Sequence, residues 1–320
     1  MINESLKQVI RVAKKYYLLE MKQEEIAKEE NISKSTVSRL INRARELGYV
    51  TFNFHFPTIT VDSLEEELKN TFNLKHVFVA ESSLNDERMI LSNIADGFAR
   101  YLNDLVQDDI TIGVSWGMTM AYMSEHLIPL HKRNVKIVQL NGGVSRANIS
   151  ISSESILLKF ANNYSGEGYL LPVPSFVNNS FIANTLKEDS NIKEVFELID
   201  QSQIIIFSVG VINKEALGVK AGYFSEDDFE DLLNQKYVGD ICSRFFKKDG
   251  SYEDGELYNS VIGISLEQIK KKKSSICIST GVQKAESILA AIKGGYINTL
   301  FTDELTAQKI LSLNNTIVPN

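Results

Sequence analysis

Glycine, hydroxyl and amide side chains able to hold an anion or a sugar gather in four short stretches of this 320-residue chain. In Gly113-Val-Ser-Trp-Gly-Met-Thr119 the glycines allow a tight turn, Ser115 and Thr119 supply hydroxyls, and the start of the following helix supplies unpaired N–H groups. Such a loop suits a phosphate. It is neither a Walker loop, since no Gly-Lys-Ser/Thr follows, nor a Gly-x-Gly-x-x-Gly dinucleotide turn, and a plain strand-to-helix turn reads the same way. The next stretch, Asn141-Gly142-Gly143-Val144, follows an apolar run; Gln139 and Asn141 offer amides to sugar hydroxyls, with a bare Gly-Gly turn as the alternative. Asp240, just ahead of ICSRFF, sets one carboxylate beside an apolar segment, either to hold hydroxyls or to cap a turn. Last, Thr280-Gly281-Val-Gln-Lys284 brings a lysine to a helix start, where the dipole disfavours a cation unless an anion neutralises it. Lys284 therefore reads as a phosphate ligand, against the alternative of an exposed lysine.

A different chemistry lies near the N-terminus. From Ser33 to Arg45 the chain carries Lys34, Arg39, Arg43 and Arg45 and no acid. Ser33 stands where a helix N-cap belongs, and Val37, Leu40, Ile41, Ala44 and Leu47 recur at helical spacing, so the polar residues project from the opposite side. Short side chains let such a helix enter a major groove, where amides and guanidinium groups reach base edges and phosphates. Lys34, Ser35, Thr36, Ser38, Arg39, Asn42 and Arg43 are the residues expected to meet DNA. An ordinary helical hairpin with a solvated basic face is the alternative.

The elements that position these residues follow from periodicity. A helix beginning near Lys22 precedes the break at Asn31 and Ile32, and Leu6, Val9, Ile10, Ala13 and Tyr17 predict a further helix that completes a three-helix helix-turn-helix unit. Gly48 fits the C-terminal cap of the reading helix, YVTFNFHFP suits a short strand or wing, and Asp62 to Phe72 predicts an acidic helix linking two domains. From His76 onward, β-branched runs at HVFVA, ITIGV, VKIVQL, GYLLPV, IIIFSVG, SICIS and INTLFT alternate with helix-length segments. The fold class is α/β, with a mostly parallel sheet covered on both faces and ligands expected at the carboxyl ends of its strands.

Charge divides the same way. The first 55 residues hold ten Lys and Arg against seven Asp and Glu, whereas the remainder holds 24 against 34. A basic head can touch a polyanion while the acidic body stays off it. No apolar run approaches the roughly 20 residues of a membrane span, and MINESLKQ lacks a signal-peptide pattern, so a cytoplasmic protein without membrane contact is expected. Cys242 and Cys277 lie in or beside apolar runs and read as buried free thiols. The four histidines lack ligand spacing, so no metal site and no cofactor are expected, and Lys270 to Lys273 reads as a solvated run.

Five blocks together carry a resemblance: QEEIAKEENISKSTVSRLINRARELGYV, IGVSWGMTM, VQLNGGV, VGDICSRFF with the following Asp-Gly, and GVQKAESILAAIKGGYINTLFTDELTA. Over nearly its whole length the chain resembles the SorC family of bacterial transcriptional regulators, sugar-binding proteins that include DeoR-type members of Gram-positive bacteria. The resemblance implies a helix-turn-helix domain over residues 1–56 and, over 57–320, an effector and oligomerisation domain related to phosphosugar isomerases. It implies a repressor of a carbohydrate-utilisation operon, bound to operator DNA as a dimer or tetramer and controlled by a phosphorylated sugar. By position in the blocks, Ser115, Trp116, Gly117, Met118 and Thr119 would surround the phosphate with Lys284 nearby. Gln139, Asn141 and Asp240, with Gly142, Gly143 and Glu154, would face the carbon chain. Asn141 has no amine with which to form a Schiff base. No catalytic residue is assigned; the rival reading is a phosphosugar isomerase-like enzyme with a DNA-binding head, which needs a base that only Asp240 and Glu154 offer.

Overall fold

The computed structural model describes residues 4–52, 60–82, 86–143, 152–212 and 226–315. They fall into two compact units, Met1–Pro57 and Thr58–Asn320.

In the smaller unit α1 (Glu4–Tyr17), α2 (Gln23–Glu30) and α3 (Lys34–Glu46) pack around Val12, Ile26, Val37 and Ile41, with Val9, Ala13 and Ala44 beside them. Local signals set the boundaries. Asn31 takes the left-handed conformation that ends α2, and the Ser33 hydroxyl accepts the Thr36 N–H at 3.1 Å to start α3. The helix closes in a Schellman turn, with Tyr49 N–H bonding to Ala44 O and Gly48, at φ +70°, bonding to Arg45 O. Most of the YVTFNFHFP segment lies outside the described residues.

Glu30 ties α2 to α1. Its carboxylate accepts from Arg11 Nε and Nη2 and from Lys15 Nζ at 2.6–3.0 Å, and these bonds hold its pKa down at about 2. A carboxyl whose folded pKa is depressed adds stability that is complete above its unfolded value, near 4.5, and is lost as pH falls toward 2. Glu30→Gln is therefore expected to destabilise the head by about 1–3 kcal/mol at pH 7, with the difference from wild type closing below pH 4. Far-UV circular dichroism melts of the full chain across that range check it.

The larger unit opens with α4 (Asp62–Phe72), β1 (His76–Ala80), α5 (Glu87–Leu105), β2 (Thr111–Val114), α6 (Met118–Glu125), β3 (Lys136–Gln139), α7 (Ser153–Tyr164) and β4 (Glu167–Tyr169). It continues through α8 (Ser180–Lys187), α9 (Ser190–Gln201), β5 (Ile204–Phe207), β6 (Gly210–Val211), α10 (Glu226–Asn234), β7 (Tyr237–Ile241) and β8 (Arg244–Lys247). Then follow α11 (Glu256–Asn259), α12 (Leu266–Lys270), β9 (Ser274–Ile278), a 3-10 turn (Val282–Lys284), α13 (Ala285–Lys293), β10 (Thr299–Asp303) and α14 (Glu304–Asn315).

Seven strands form one sheet in the order β1-β10-β9-β5-β2-β3-β4, every neighbouring pair parallel. Alternation along the strands divides the core between the faces. Ile205 and Phe207 join α4, α9, α13 and α14 on one side, and Ile204 and Ile206 join α5, α6 and α7 on the other. From β2 the chain steps outward through β3 to β4, returns to β5 on the other side of β2, and steps the opposite way through β9 to β10. The direction thus reverses between β2 and β5, and that reversal opens a crevice at the strands' carboxyl ends. A small antiparallel sheet, β6-β7-β8, stands apart.

Three sequence expectations change. The helix α4 is no mere link: Leu68 is wholly buried in the body core and Glu65 accepts the Val79 N–H of β1 at 2.8 Å. The Lys270–Lys273 run is not uniformly solvated, because Lys272 is buried and its ammonium bonds to Ile199 O and Asp200 O at 2.6 and 2.9 Å, closing the C-terminal end of α9. GYLLPV is strand only at its first residues and IIIFSVG is interrupted, since β4 stops at Tyr169 and β5 at Phe207, from where the chain leaves for the bridge at Pro174 and for β6, which opens at Gly210. Cys242 and Cys277 are buried free thiols, as their surroundings in the sequence suggested.

Candidate functional site

All the loops singled out in the sequence for the body lie at or beside the carboxyl edge of the large sheet. Ser115 follows β2 directly and its side chain is buried. Gly117, at φ +142°, is the N-cap of α6, a backbone setting that favours glycine; Met118 stands exposed in the first turn and Thr119 is part-buried. Trp116 connects this loop to the next, its indole N–H donating to Gly142 O at 2.8 Å.

The loop after β3 is held from several sides. Asn141 bridges Gly263, Gly142 N–H bonds to Ile262 O, Gly143 N–H bonds to Val173 O, and the Ser175 hydroxyl donates to Gly142 O. Gly142 has no room for a side chain, since a Cβ there would come within 2.5 Å of both Val173 O and Pro174 O. Gln139 is buried with its amide in use: Nε2 donates to Asn141 O at 2.5 Å and Oε1 accepts Leu171 N–H at 3.4 Å. Its place in the structure is beneath the loop, as a support. Asn141 differs. Its Nδ2 reaches Ser243 Oγ at 3.4 Å, while its buried Oδ1 has no partner among the described residues.

Asp240 on β7 accepts the Ser243 N–H at 3.1 Å, and Gly210, where a Cβ would collide with its carboxylate, leaves it room. Burial pushes the Asp240 carboxyl up to about 6, against the opposing pull of the Ser243 N–H and the Lys284 charge. Lys284 ends the 3-10 turn after β9 and leads into α13. Burial lowers its pKa, with Cys277 and Asp240 pulling it back, and its ammonium has no hydrogen bond or ion pair among the described residues. Glu154 is exposed in the first turn of α7 behind the Ser152 cap.

Sequence reasoning missed the residues that fix these loops. Asp303 and Thr306 anchor the lysine turn, with Gly281 N–H donating to Asp303 Oδ2 at 3.0 Å and to Thr306 Oγ1 at 2.9 Å. Their spacing, an acid three residues ahead of Thr306 N–H, is a helix-capping pattern visible in TDELT. Arg244, 3 % exposed, donates to the carbonyls of Ile264, Tyr258, Val261 and Gly263, and its guanidinium lies 4.3 Å from the Tyr258 ring centroid. It thereby holds the segment that carries Gly263 against Asn141. No local signal marks an arginine whose partners lie 14 to 20 residues away.

In the smaller unit the outer face of α3 is polar. The hydroxyls of Ser35 and Thr36 lie 2.8 Å from Ser33 Oγ, within the cap, and Ser38 is part-buried. Lys34 pairs with Glu24 and Arg43 with Glu46, both exposed contacts that a phosphate can displace at little cost. Arg39 and Asn42 are exposed with no partner among the described residues. Arg45, by contrast, turns away: its Nε donates to Tyr17 OH at 2.7 Å and its guanidinium stacks near Phe52.

Comparison with known proteins places both units. A sugar-binding domain family matches residues 57–312, and a sigma-70 region 4 family matches residues 14–47. The chain is 33% identical over 303 residues to the deoxyribonucleoside regulator of Bacillus subtilis, covering 95% of this chain and 96% of that protein. It is 29% identical over 313 residues to the sorbitol operon regulator of Klebsiella pneumoniae, covering 97% and 99% of the two. The crystal structure of full-length SorC from Klebsiella pneumoniae superposes with a TM-score of 0.74 over 97% of this chain and 100% of that one.

Proposed function

Because this chain belongs to the SorC family of sugar-responsive transcriptional regulators, we propose that its effector is a phosphorylated sugar held at the carboxyl edge of the seven-stranded sheet. The chain is an effector-controlled regulator with a helix-turn-helix head and a sugar-binding body. One observation carries the phosphate reading: Lys284 holds a part-buried ammonium with no counter-charge in contact among the described residues, at the same edge as the Ser115 loop. A phosphate there supplies the missing charge. In this reading Ser115, Trp116, Gly117, Met118 and Thr119 surround the phosphate with Lys284, Asn141 and Asp240 take sugar hydroxyls beside Gly142 and Gly143, and Gln139 supports the loop from below. Glu154 stays peripheral.

The body senses its ligand and does not transform it. Isomerising a sugar requires a base within hydrogen-bond reach of the transferred proton, whereas the Asp240 carboxylate is engaged by the Ser243 N–H and Glu154 is exposed to solvent. A thermal-shift panel of sugar phosphates beside their free sugars tests the reading. A ligand at a hundred times its Kd stabilises the native chain by about 2.7 kcal/mol, so a phosphorylated sugar should raise the melting temperature where the free sugar does not.

We place Lys34, Ser35, Thr36, Ser38, Arg39, Asn42 and Arg43 at the operator. Each head reads only a few base pairs, so the chain acts as a homo-oligomeric repressor on paired half-sites. Arg39→Ala is expected to weaken specific operator binding by about 1–3 kcal/mol, as loss of a base-edge contact does, and to leave melting unchanged. Band-shift titrations on operator and scrambled DNA check this: equal affinity for both in the wild type removes the claim of sequence reading.

A further inference from the structure

Five buried polar side-chain atoms have no hydrogen-bond partner among the described residues: Ser82 Oγ, Ser115 Oγ, Asn141 Oδ1, Ser208 Oγ and Ser279 Oγ. They are not scattered. Each lies one or two residues past the carboxyl end of a parallel strand, after β1, β2, β3, β5 and β9 respectively. Four of those strands are consecutive neighbours in the sheet, in the order β9-β5-β2-β3. Ser279, Ser208, Ser115 and Asn141 therefore form a row about 14 Å long at the usual strand spacing, centred on the reversal between β5 and β2. Ser82 is outside it, because β10 separates β1 from β9. A buried polar atom without a partner is unfavourable, and four in a row at one edge, three hydroxyls and one amide oxygen, mark groups whose partner comes from outside the chain.

The row is chemically polar. On β9, β5 and β2 it offers hydroxyls, which can donate, and Lys284 follows β9 by a short turn. At the β3 end the unpaired atom is Asn141 Oδ1, an acceptor only, because the amide nitrogen reaches toward Ser243. Donors and a cation suit an oxyanion, while acceptors suit hydroxyl groups that donate.

Resting on the proposed sugar phosphate, we infer that Ser208 and Ser279 are phosphate ligands of the effector site. The phosphate sits over β5, between the Ser115 loop and Lys284, and the hydroxyl-bearing carbons run toward Asn141. The direction of the ligand is thereby fixed, with its anionic end on β9, β5 and β2. Both hydroxyl oxygens are buried and unpaired without ligand, so binding replaces an unfavourable arrangement with a satisfied one.

The test exploits opposite signs. Ser208→Ala and Ser279→Ala each remove an unpaired hydroxyl, so the ligand-free chain melts at the wild-type temperature or above it, yet affinity for inorganic phosphate, read by thermal shift and by Trp116 fluorescence, falls about tenfold to a hundredfold. Ser82→Ala, outside the row, keeps wild-type phosphate affinity. If inorganic phosphate alone is too weak a probe, the sugar phosphate that responds in the panel is titrated into the same variants with the same expectation for the two serines. Wild-type phosphate affinity in both Ser208→Ala and Ser279→Ala overturns the inference, as does a drop in ligand-free melting temperature with unchanged affinity, the mark of serines satisfied by buried water. Failure of the wild type to bind phosphate or any sugar phosphate overturns the underlying proposal and this inference with it.

Discussion

Replacing Lys284 with methionine is expected to abolish the effector's influence on DNA binding while leaving operator affinity without effector unchanged. The side chain is part-buried, burial disfavours its charge, and no anion touches it among the described residues, so in the ligand-free protein the ammonium is a liability. Methionine keeps most of the volume and removes the charge. Ligand-free stability should therefore hold or rise, in contrast to the loss that follows when a lysine engaged in a salt bridge is removed. A charge-assisted contact to a phosphate contributes about 1.5–3 kcal/mol, or tenfold to a hundredfold in affinity. Because burial depresses its pKa, wild-type affinity should also decline with rising pH sooner than an ordinary lysine allows. Lys284→Arg, charged throughout, should lack that decline. Calorimetry in which Lys284→Met binds every candidate sugar phosphate as tightly as wild type would remove Lys284 from the site.

Arg244→Met is expected to produce the largest loss of stability. Four carbonyl oxygens converge on one buried guanidinium, and Tyr258 covers its face. Methionine fills part of the space but leaves those carbonyls without donors, each costing about 1–3 kcal/mol when it stays buried. Relaxation shares some of that cost, so a net loss of roughly 4 kcal/mol is a reasonable centre, corresponding to about 8–16 °C in melting temperature for a domain of this size. Arg244→Lys keeps the charge without the fork and should fall between. Because the same segment carries Gly263, which bridges Asn141, partial unfolding there should weaken effector binding too. A melting temperature within about 2 °C of wild type for Arg244→Met would show that these carbonyls find other donors and that Arg244 does not hold the loop.

Much of this architecture is legible because its causes are local. Ser33, the Val37-Ile41-Ala44 stripe and Gly48 specify α3 by short-range chemistry, and each does in the structure what its position in the sequence suggests. The buried parallel strands announce themselves as apolar runs, and the ligand loops as glycine-rich breaks after them. What stays hidden depends on which strands become neighbours. Ser208 and Ser279 are single serines after apolar runs, unremarked until the order β9-β5-β2-β3 sets them in line with Ser115 and Asn141. Arg244 sits between Ser243 and Phe245 in ICSRFF, and nothing nearby reveals that its partners are carbonyls of a later segment. Lys272 lies within four lysines, of which it alone is buried against the end of α9. The acidic composition of α4 suggests a solvated link, yet one leucine, Leu68, anchors it in the core. In each case the decisive partner is distant in sequence, and composition over a short window points the wrong way.

Linkage tests the account most directly. A phosphorylated sugar can shift operator affinity only by the factor by which operator shifts affinity for the sugar. The measurement is a closed cycle: operator affinity by fluorescence anisotropy with and without a saturating sugar phosphate, and affinity for that sugar phosphate by calorimetry with and without saturating operator. The expected result is one factor, found in both directions in the wild type and reduced to unity in Lys284→Met. A sugar phosphate that binds the body, detected through Trp116, yet leaves operator affinity unchanged would contradict the account, as would an unphosphorylated sugar that closes the same cycle with the larger factor.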